Sequence, residues 1–371
     1  MMKKEKRHRS LILFALLAVM ALSGCSSKIQ QPTVKVYWPP PPATPKMEWI
    51  TTFSTEDNFL KSERQITAEK LLGKKDIKRF MKPVAAAVDA DGLLYVADYD
   101  IGNIMVVDFA ARKMSQYSEE VIGLPLDLKF DSKGMLYISD GYGKQVLVYN
   151  RQRQPVRSIG KGDLGRPNFI EINEELGRLY VSDVLDNRVV VFDLASGEKL
   201  FEFGERGNGE GEMHGPQGLA FDKEGRLFLA EQFGARVQVF DADGNFLYTF
   251  GTRGDQAFQF EGPRGLDFDS QGNLFIAEAR KASVLLFTPE GAPLTSLGTG
   301  GTSFHQLGFT LPSSVYLDAN DRIYVSDGMN KRVTIWQMLT PQYLAEHPVD
   351  QDALKKLEEK VIRLGEEREK Q

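Results

Sequence analysis

The chain has 371 residues and carries 46 Lys and Arg residues against 51 Asp and Glu residues, so its formal net charge is −5. This length suits one large or two ordinary domains, and the acidic balance argues against a nucleic-acid partner. A single cysteine excludes an internal disulfide and a cluster of thiolate metal ligands. The fold must therefore be stabilised by packing and by backbone hydrogen bonds.

The N-terminus is typical of a bacterial secretion signal. A basic start precedes an unbroken apolar run over residues 11–22, which has the length of a signal-peptide core and is short for a membrane span. Residues 22–25 read Leu-Ser-Gly-Cys and resemble the lipobox of bacterial lipoproteins. The resemblance implies a signal peptide over residues 1–24 and acylation of Cys25, which anchors the chain to a lipid bilayer. Ser26 stands where an Asp would signal retention in the inner membrane, so the resemblance implies the outer membrane.

A proline-rich stretch follows the cysteine. Residues 38–45 read Trp-Pro-Pro-Pro-Pro-Ala-Thr-Pro, and consecutive prolines favour an extended polyproline II spacer of about 3.1 Å per residue. The sequence therefore predicts a stiff tether over residues 25–46 that holds the following domain away from the bilayer.

The remainder of the chain is repetitive. Six segments begin at a proline and continue to a box of the type Leu-Tyr-Val-Ala-Asp, here called the acidic box. The prolines are Pro83, Pro125, Pro167, Pro216, Pro263 and Pro312. They are separated by 42, 42, 49, 47 and 49 residues, which is the period of propeller blades. A turn precedes each box, and a third and usually a fourth apolar strand follow it, so each repeat predicts a four-stranded blade.

The sixth repeat lacks its fourth strand. Residues 49–54 (Trp-Ile-Thr-Thr-Phe-Ser) are similar to the fourth strand at residues 246–251 (Phe-Leu-Tyr-Thr-Phe-Gly). We therefore expect this N-terminal segment to close the ring as the outer strand of the last blade, so that no open gap remains between first and last blades.

These repeats resemble the NHL family of six-bladed β-propellers over residues 47–339. The resemblance rests on the repeat starts, the acidic boxes and an Arg-Val pair in three blades, at Arg188, Arg236 and Arg332. With the lipobox and the proline stalk, the chain resembles the NHL-repeat lipoproteins of Gram-negative bacteria. The expected fold is all-β: a six-bladed propeller closed by an N-terminal strand. The function stays open, because propellers host many unrelated activities.

Two segments lie outside the predicted ring. Residues 55–82 contain a predicted short helix at 60–72 and a basic cluster, which is either a solvated connector or a contact to an acidic partner or lipid headgroups. Residues 340–371 predict a charged C-terminal helix, with Leu354, Leu357, Val361 and Leu364 on one face. That face either packs on the propeller or is offered to a partner.

The acidic boxes could suggest a cation site, since they end in six carboxylates. These are Asp98, Asp140, Asp183, Glu231, Glu278 and Asp327. We favour a structural role, in which each carboxylate binds loop amides or the arginine of its own repeat. The related peptidyl-amidating lyases hold zinc with several histidines, whereas the mature chain has only His214, His305 and His347. We therefore expect no metal, no cofactor and no catalytic residue.

Three glycine-rich loops, at residues 204–215, 251–262 and 298–308, predict a lopsided rim that can bound a binding groove. Exposed aromatic side chains beside arginine are typical of protein interfaces. The candidate binding residues are Tyr99, Tyr142, Arg188, Phe233, Arg236, Arg280, Lys281 and Arg332. The leading hypothesis is a non-catalytic platform that binds a protein or glycan partner in the cell envelope. The alternatives are a metal-dependent hydrolase or lyase, and an accessory subunit of an envelope electron-transfer or export complex.

Overall fold

The computed structural model describes residues 35–59, 71, 77–298 and 308–369. The described chain starts with β1 (Val36–Trp38), β2 (Met47–Phe53) and a 3-10 turn (Glu56–Asn58). It then forms six antiparallel sheets, each of which is one blade. No helix in these ranges is both long enough and apolar enough to cross a membrane.

The first five blades contain four consecutive strands each. Blade 1 consists of β3 (Pro83–Val88), β4 (Leu94–Asp98), β5 (Asn103–Asp108) and β6 (Lys113–Gln116). Blade 2 consists of β7 (Pro125–Phe130), β8 (Leu136–Asp140), β9 (Gln145–Tyr149) and β10 (Pro155–Ile159). Blade 3 consists of β11 (Pro167–Asn173), β12 (Arg178–Asp183), β13 (Arg188–Asp193) and β14 (Lys199–Phe203).

Blade 4 consists of β15 (Pro216–Phe221), β16 (Leu227–Glu231), β17 (Arg236–Phe240) and β18 (Phe246–Phe250). Blade 5 consists of β19 (Pro263–Phe268), β20 (Leu274–Glu278), β21 (Ser283–Phe287) and β22 (Pro293–Leu297). Blade 6 consists of β23 (Pro312–Leu317), β24 (Arg322–Asp327) and β25 (Arg332–Met338), together with β2 and β1.

The first strand of every blade lies at the centre of the ring. These strands contact one another in the order β3, β7, β11, β15, β19 and β23, and β23 contacts β3. The circle is thereby complete, which confirms the predicted all-β, six-bladed propeller.

Tight turns connect the first and second strands. In blade 1 the Asp89 side chain accepts hydrogen bonds from the amides of Asp91 (3.0 Å) and Leu93 (2.9 Å). Gly92 completes this turn with φ +79°, a conformation that glycine adopts without strain. The aspartates of blades 4, 5 and 6 make the same pair of bonds, so this turn chemistry recurs around the ring.

The hydrophobic core lies between neighbouring blades. Phe228 of blade 4, for example, is fully buried with Leu274 and Ile276 of blade 5, and its ring meets Phe268 edge-on at 5.0 Å. Because each blade buries one face against the next, no blade has a core of its own.

The N-terminal strand closes the ring as predicted. Strand β2 pairs with β25, with Trp49 opposite Trp336 and Phe53 opposite Val333. It is, however, the fourth strand of a five-stranded blade, because β1 pairs on its outer side with Val36 opposite Trp49.

Part of the predicted tether therefore belongs to the propeller. Residues 39–46 turn the chain back so that Trp38 pairs with Met47. The Tyr37 and Trp38 side chains are buried, and the Trp38 indole donates a hydrogen bond to the Ser296 carbonyl in blade 5. An extended proline rod would leave both aromatic rings in water, so their burial is the physical reason for the difference from the predicted spacer.

The C-terminal segment forms two helices, α1 (Pro341–Glu346) and α2 (Gln351–Glu369). The start of α2 lies against β1, where the Asp350 amide donates to the Tyr37 hydroxyl at 3.0 Å. Leu354 and Leu357 are half-buried there. The predicted helix at residues 60–72 lies outside the described residues except for Leu71.

Candidate binding face

Antiparallel strands place two sets of connections on one face of the ring. These are the turns that follow the acidic boxes and the loops that lead from each blade to the next. We call this the box face; its turns are residues 99–102, 141–144, 184–187, 232–235, 279–282 and 328–331. The turns between first and second strands lie on the opposite face.

The box carboxylates are buried and bind loop amides. Asp98 accepts hydrogen bonds from the amides of Met81 (2.7 Å), Lys82 (2.9 Å) and Ile101 (3.2 Å). Burial raises the pKa of Asp98, and these amide bonds oppose the rise. Equivalent amide bonds reach Asp140, Asp183, Glu231, Glu278 and Asp327. The predicted structural role is thus confirmed, because each carboxylate binds amides of the loop that leads into its own blade.

The three predicted arginines are engaged in the same loops. Arg236 pairs with Glu231 at 2.7 Å and donates to the carbonyls of Asn208 (2.8 Å), Gly209 (2.9 Å) and Glu212 (2.8 Å). It therefore fixes the glycine-rich loop at residues 204–215. Arg188 likewise lies 3.6 Å from Asp183 and pairs with Asp186 and Glu202. Arg332 lies 3.7 Å from Asp327 and donates to the Gly308 carbonyl.

The other predicted residues lie on the box face in different settings. Tyr99 is half-buried beneath the Lys82 ammonium, 4.1 Å from the ring centre. Lys281 donates a hydrogen bond to the Gln256 carbonyl in the glycine-rich loop at residues 251–262. Tyr142 is 84% exposed and Phe233 50% exposed, and Arg280 is exposed as well.

Tyr142, Phe233 and Arg280 occupy one repeat position, the second residue after the box carboxylate. The same position holds Leu185 and Met329, each 60% exposed. Sequence reasoning missed these two because it searched for aromatic and basic side chains, although aligning the six boxes finds them. We call the four apolar residues the apolar ring: Tyr142, Leu185, Phe233 and Met329. Asp100 in blade 1 and Arg280 in blade 5 complete the circle.

The turns that carry the apolar ring have the same backbone geometry. The fourth residue of each turn has a φ between +53° and +67° in all six blades. These residues are Gly102, Lys144, Asn187, Ala235, Ala282 and Lys331. The ring residues are therefore displayed at equivalent heights around the axis by rigid turns rather than by long loops.

Four further apolar residues are exposed at a recurring position, on the outermost strands of blades 2 to 5. These are Val156, Leu200, Leu247 and Leu294, here called the rim set. Because they lie on the outermost strands, they are distributed around the circumference of the ring. A single flat partner cannot contact all four together, whereas it can lie across the apolar ring.

The central channel opens at the box face. The Asn168 side-chain amide donates to Gln217 at 2.8 Å, and the Gln217 amide donates to Gln232 at 3.2 Å. Arg264 follows Gln217 around the mouth, and its buried Nε has no hydrogen-bond partner.

Deeper in the channel, Lys129 forms an ion pair with Glu171 at 2.6 Å. Burial raises the pKa of Asp127 to about 7, and Lys129 opposes the rise. Burial also raises the pKa values of Glu171 and Asp267. For Lys129, burial would lower the pKa, but the neighbouring carboxylates outweigh it and raise the pKa instead.

The histidines are not brought together. The His214 ring lies 5.5 Å from the ring of Phe233, whereas His347 stacks on Tyr343 at 4.4 Å; His305 lies outside the described residues. In the part of the chain that the structure describes, no group of three or more His, Cys, Asp or Glu side chains is arranged to hold a metal ion.

A family model described as the teneurin NHL domain matches residues 60–259. The chain belongs to this NHL family. Protein lin-41 from Caenorhabditis elegans is 41% identical over 54 residues, which are 15% of this chain and 5% of that protein. The NHL chain thus spans a small part of that relative's length.

Solved structures share the fold of this NHL propeller at low identity. A protein of unknown function from Bacteroides thetaiotaomicron is 16% identical, with a TM-score of 0.60 over 70% of each chain. An auxiliary nutrient binding protein from the same organism is 15% identical, with a TM-score of 0.55 over 69% of each chain. A streptogramin B lyase is 13% identical, with a TM-score of 0.53 over 79% of this chain and 90% of that one.

Within this NHL propeller, the residues that recur from blade to blade build the ring. The box carboxylates and their arginines form hydrogen bonds and ion pairs with the loops of the box face. The residue two positions after the carboxylate differs between blades, and in four blades it is an exposed apolar side chain.

Proposed function

We propose that this NHL propeller is a lipid-anchored, non-catalytic platform in the cell envelope, at the outer membrane, whose box face binds a protein partner. The observation that carries the proposal is the apolar ring. Four exposed apolar side chains at one repeat position form a set that a single partner can cover.

The chemistry of the ring suits a protein interface. Tyrosine and phenylalanine each offer a large apolar area with few rotatable bonds, which is why aromatic residues concentrate binding energy at interfaces. The backbone of Phe233 is held in place by the Arg253 guanidinium, which donates a hydrogen bond to its carbonyl. Asp100 and Arg280, at the two remaining positions, carry opposite charges and so give a partner one preferred rotation on the face.

Two of the proteins that share this fold are binding proteins. Auxiliary nutrient binding proteins from two Bacteroides species share the propeller with TM-scores of 0.55. The apolar ring itself contains no nucleophile or acid–base pair, which favours binding over a reaction at this position.

The proposed anchor is Cys25, which lies outside the described residues. Cys25 and Val36 are 36 − 25 = 11 residues apart, so the chain between them reaches at most about 40 Å. Because β1 lies at the outer edge of blade 6, the lipid would join the propeller at its rim. This attachment leaves the box face free for a partner.

Site-specific photo-crosslinking in cells tests the binding face. A photoreactive phenylalanine analogue replaces Tyr142 or Phe233, and the control replaces Leu176, which is 47% exposed in a turn on the opposite face. We expect a discrete protein adduct from both box-face positions and none from Leu176. An identical adduct pattern from all three positions would contradict the proposal.

The anchor is tested separately by Cys25→Ala. The wild-type chain should incorporate labelled palmitate and fractionate with the outer membrane, and the variant should do neither. A variant that keeps both properties would refute anchoring through Cys25 without bearing on the box face.

A further inference from the structure

Three basic residues surround the mouth of the central channel. They lie immediately before or after the repeat prolines: Lys82 in blade 1, Arg166 in blade 3 and Arg264 in blade 5. Since these blades alternate, the three cations reach the mouth from three different sides of the ring. The twelve residues that flank the six prolines include no Asp or Glu, although the chain as a whole is acidic.

Arg264 is the least satisfied of the three. Its Nε is buried without a hydrogen-bond partner. Burial lowers the pKa of this guanidinium; Glu278 opposes the effect, and the nearby Arg280 adds to it. The Glu278 carboxylate itself binds the amides of Glu261 (3.2 Å) and Gly262 (2.7 Å). Within the described residues, no carboxylate forms an ion pair with Arg264. Because no protein carboxylate neutralises it, the Arg264 guanidinium keeps its charge available for the carboxylate of a ligand.

The other two cations are available as well. The Arg166 side chain is exposed. Its backbone amide donates to Asp183 and its carbonyl accepts from the Val184 amide, so these bonds leave the guanidinium unengaged. Lys82 is half-buried and lies over the Tyr99 ring, which leaves its ammonium protons free to bind an oxygen. Neither forms an ion pair with any acidic side chain that the structure describes.

The wall of the mouth is polar on one side and apolar on the other. Asn168, Gln217 and Gln232 form the polar side next to Arg264. Val84 and Leu126 occupy the equivalent positions in blades 1 and 2. Side-chain amides can donate to a carboxylate, so the polar side extends the reach of the guanidinium.

We infer that the channel mouth is a carboxylate-binding site, in which Arg264 binds one carboxylate while Arg166 and Lys82 bind others on the same ligand. The ligand is either a free small polycarboxylic acid or an acidic segment of the protein that docks on the apolar ring. The second source rests on the proposed function; the first does not.

Isothermal titration calorimetry on the purified full-length chain in neutral detergent tests the site, with citrate and a capped hexaglutamate peptide as probes. We expect saturable binding of at least one probe. Arg264→Gln should weaken it by about tenfold or more, because it removes a charge-assisted bidentate contact. Arg166→Gln should weaken it by a smaller factor. Lys133→Gln removes the same charge from an exposed turn on the opposite face and should leave the affinity unchanged.

The two probes distinguish a free acid from an acidic segment of a protein partner. Citrate binding that depends on Arg264 indicates a free acid, and binding of the peptide alone indicates a partner segment. Absence of saturable binding by both probes, or equal affinity of wild type and Arg264→Gln, overturns the site. If thermal unfolding shows that Arg264→Gln is misfolded, Arg166→Gln and Lys82→Gln carry the same test. Crosslinking at Tyr142 is read independently, so failure of this site is distinguishable from failure of the binding platform.

Discussion

Phe53 offers the sharpest test of ring closure. It lies on the closing strand β2, opposite Val333 of β25, and is 2% exposed. Its ring lies 4.8 Å from Phe59, 5.6 Å from Phe109 and 6.0 Å from Phe80. Phe53→Ala would therefore remove the aromatic centre of the junction between the last blade and the first.

The expected cost follows from this burial. Replacing a fully buried phenylalanine by alanine destabilises a protein by about 3–5 kcal/mol, a large share of the 5–15 kcal/mol (roughly) that stabilises a typical domain. Urea denaturation, followed by both fluorescence and circular dichroism, gives the free energy of unfolding provided that the two transitions coincide.

Phe250→Ala is the matched control. Phe250 ends the fourth strand of blade 4, as Phe53 ends that of blade 6, but it is half-buried and its main ring contact is Phe287 at 5.7 Å. We expect about half the cost of Phe53→Ala, since the hydrophobic contribution scales with the area buried. If Phe53→Ala proves no more destabilising than Phe250→Ala, the closing strand does not hold the ring as argued.

Three further predictions follow from the described contacts. Deleting residues 46–55 removes β2 and should lower the thermal midpoint by about 10 °C or more, and an unchanged midpoint would contradict closure. The raised pKa of Asp127 means that wild type should lose stability as pH rises from 4 through about 7. Between pH 5 and pH 8, the Asp127→Asn variant should lose less unfolding free energy than wild type, as measured by urea titration. Equal losses in the two proteins would refute the role given to the Asp127 carboxyl. Arg236→Met leaves buried Glu231 without its cation and should cost about 3–5 kcal/mol of unfolding free energy, against about 0.5 kcal/mol or less for exposed Arg280→Met. Equal costs in urea denaturation would contradict the role of Arg236 in fixing the loop at residues 204–215.

The ring could be predicted because its evidence is periodic. Six prolines and six boxes at blade spacing specify the repeat, and the missing fourth strand points to the N-terminus. The arginine pairs could also have been predicted, since Glu231 and Arg236 are directly opposite in neighbouring strands, as are Asp327 and Arg332.

What escaped prediction depends on contacts between distant residues. The prolines after Trp38 predict an extended rod. The chain folds back instead because Trp38 is buried and its indole donates a hydrogen bond to Ser296, which is 258 residues away in the sequence. Leu185 and Met329 are ordinary apolar residues until the repeat is aligned on its carboxylates. The sequence around Arg264 does not predict that this residue lacks an ion-pair partner, because that depends on which side chains the neighbouring blades place at the channel mouth.

The central claim is that the apolar ring binds a protein partner, and the affinity of the crosslinked partner tests it most directly. In one variant all four ring residues become serine; in the matched variant the four exposed residues of the rim set become serine. We predict that the ring variant loses binding by about a hundredfold or more, with the rim variant close to wild type. Equal losses in the two variants, or a loss confined to the rim variant, would contradict the account.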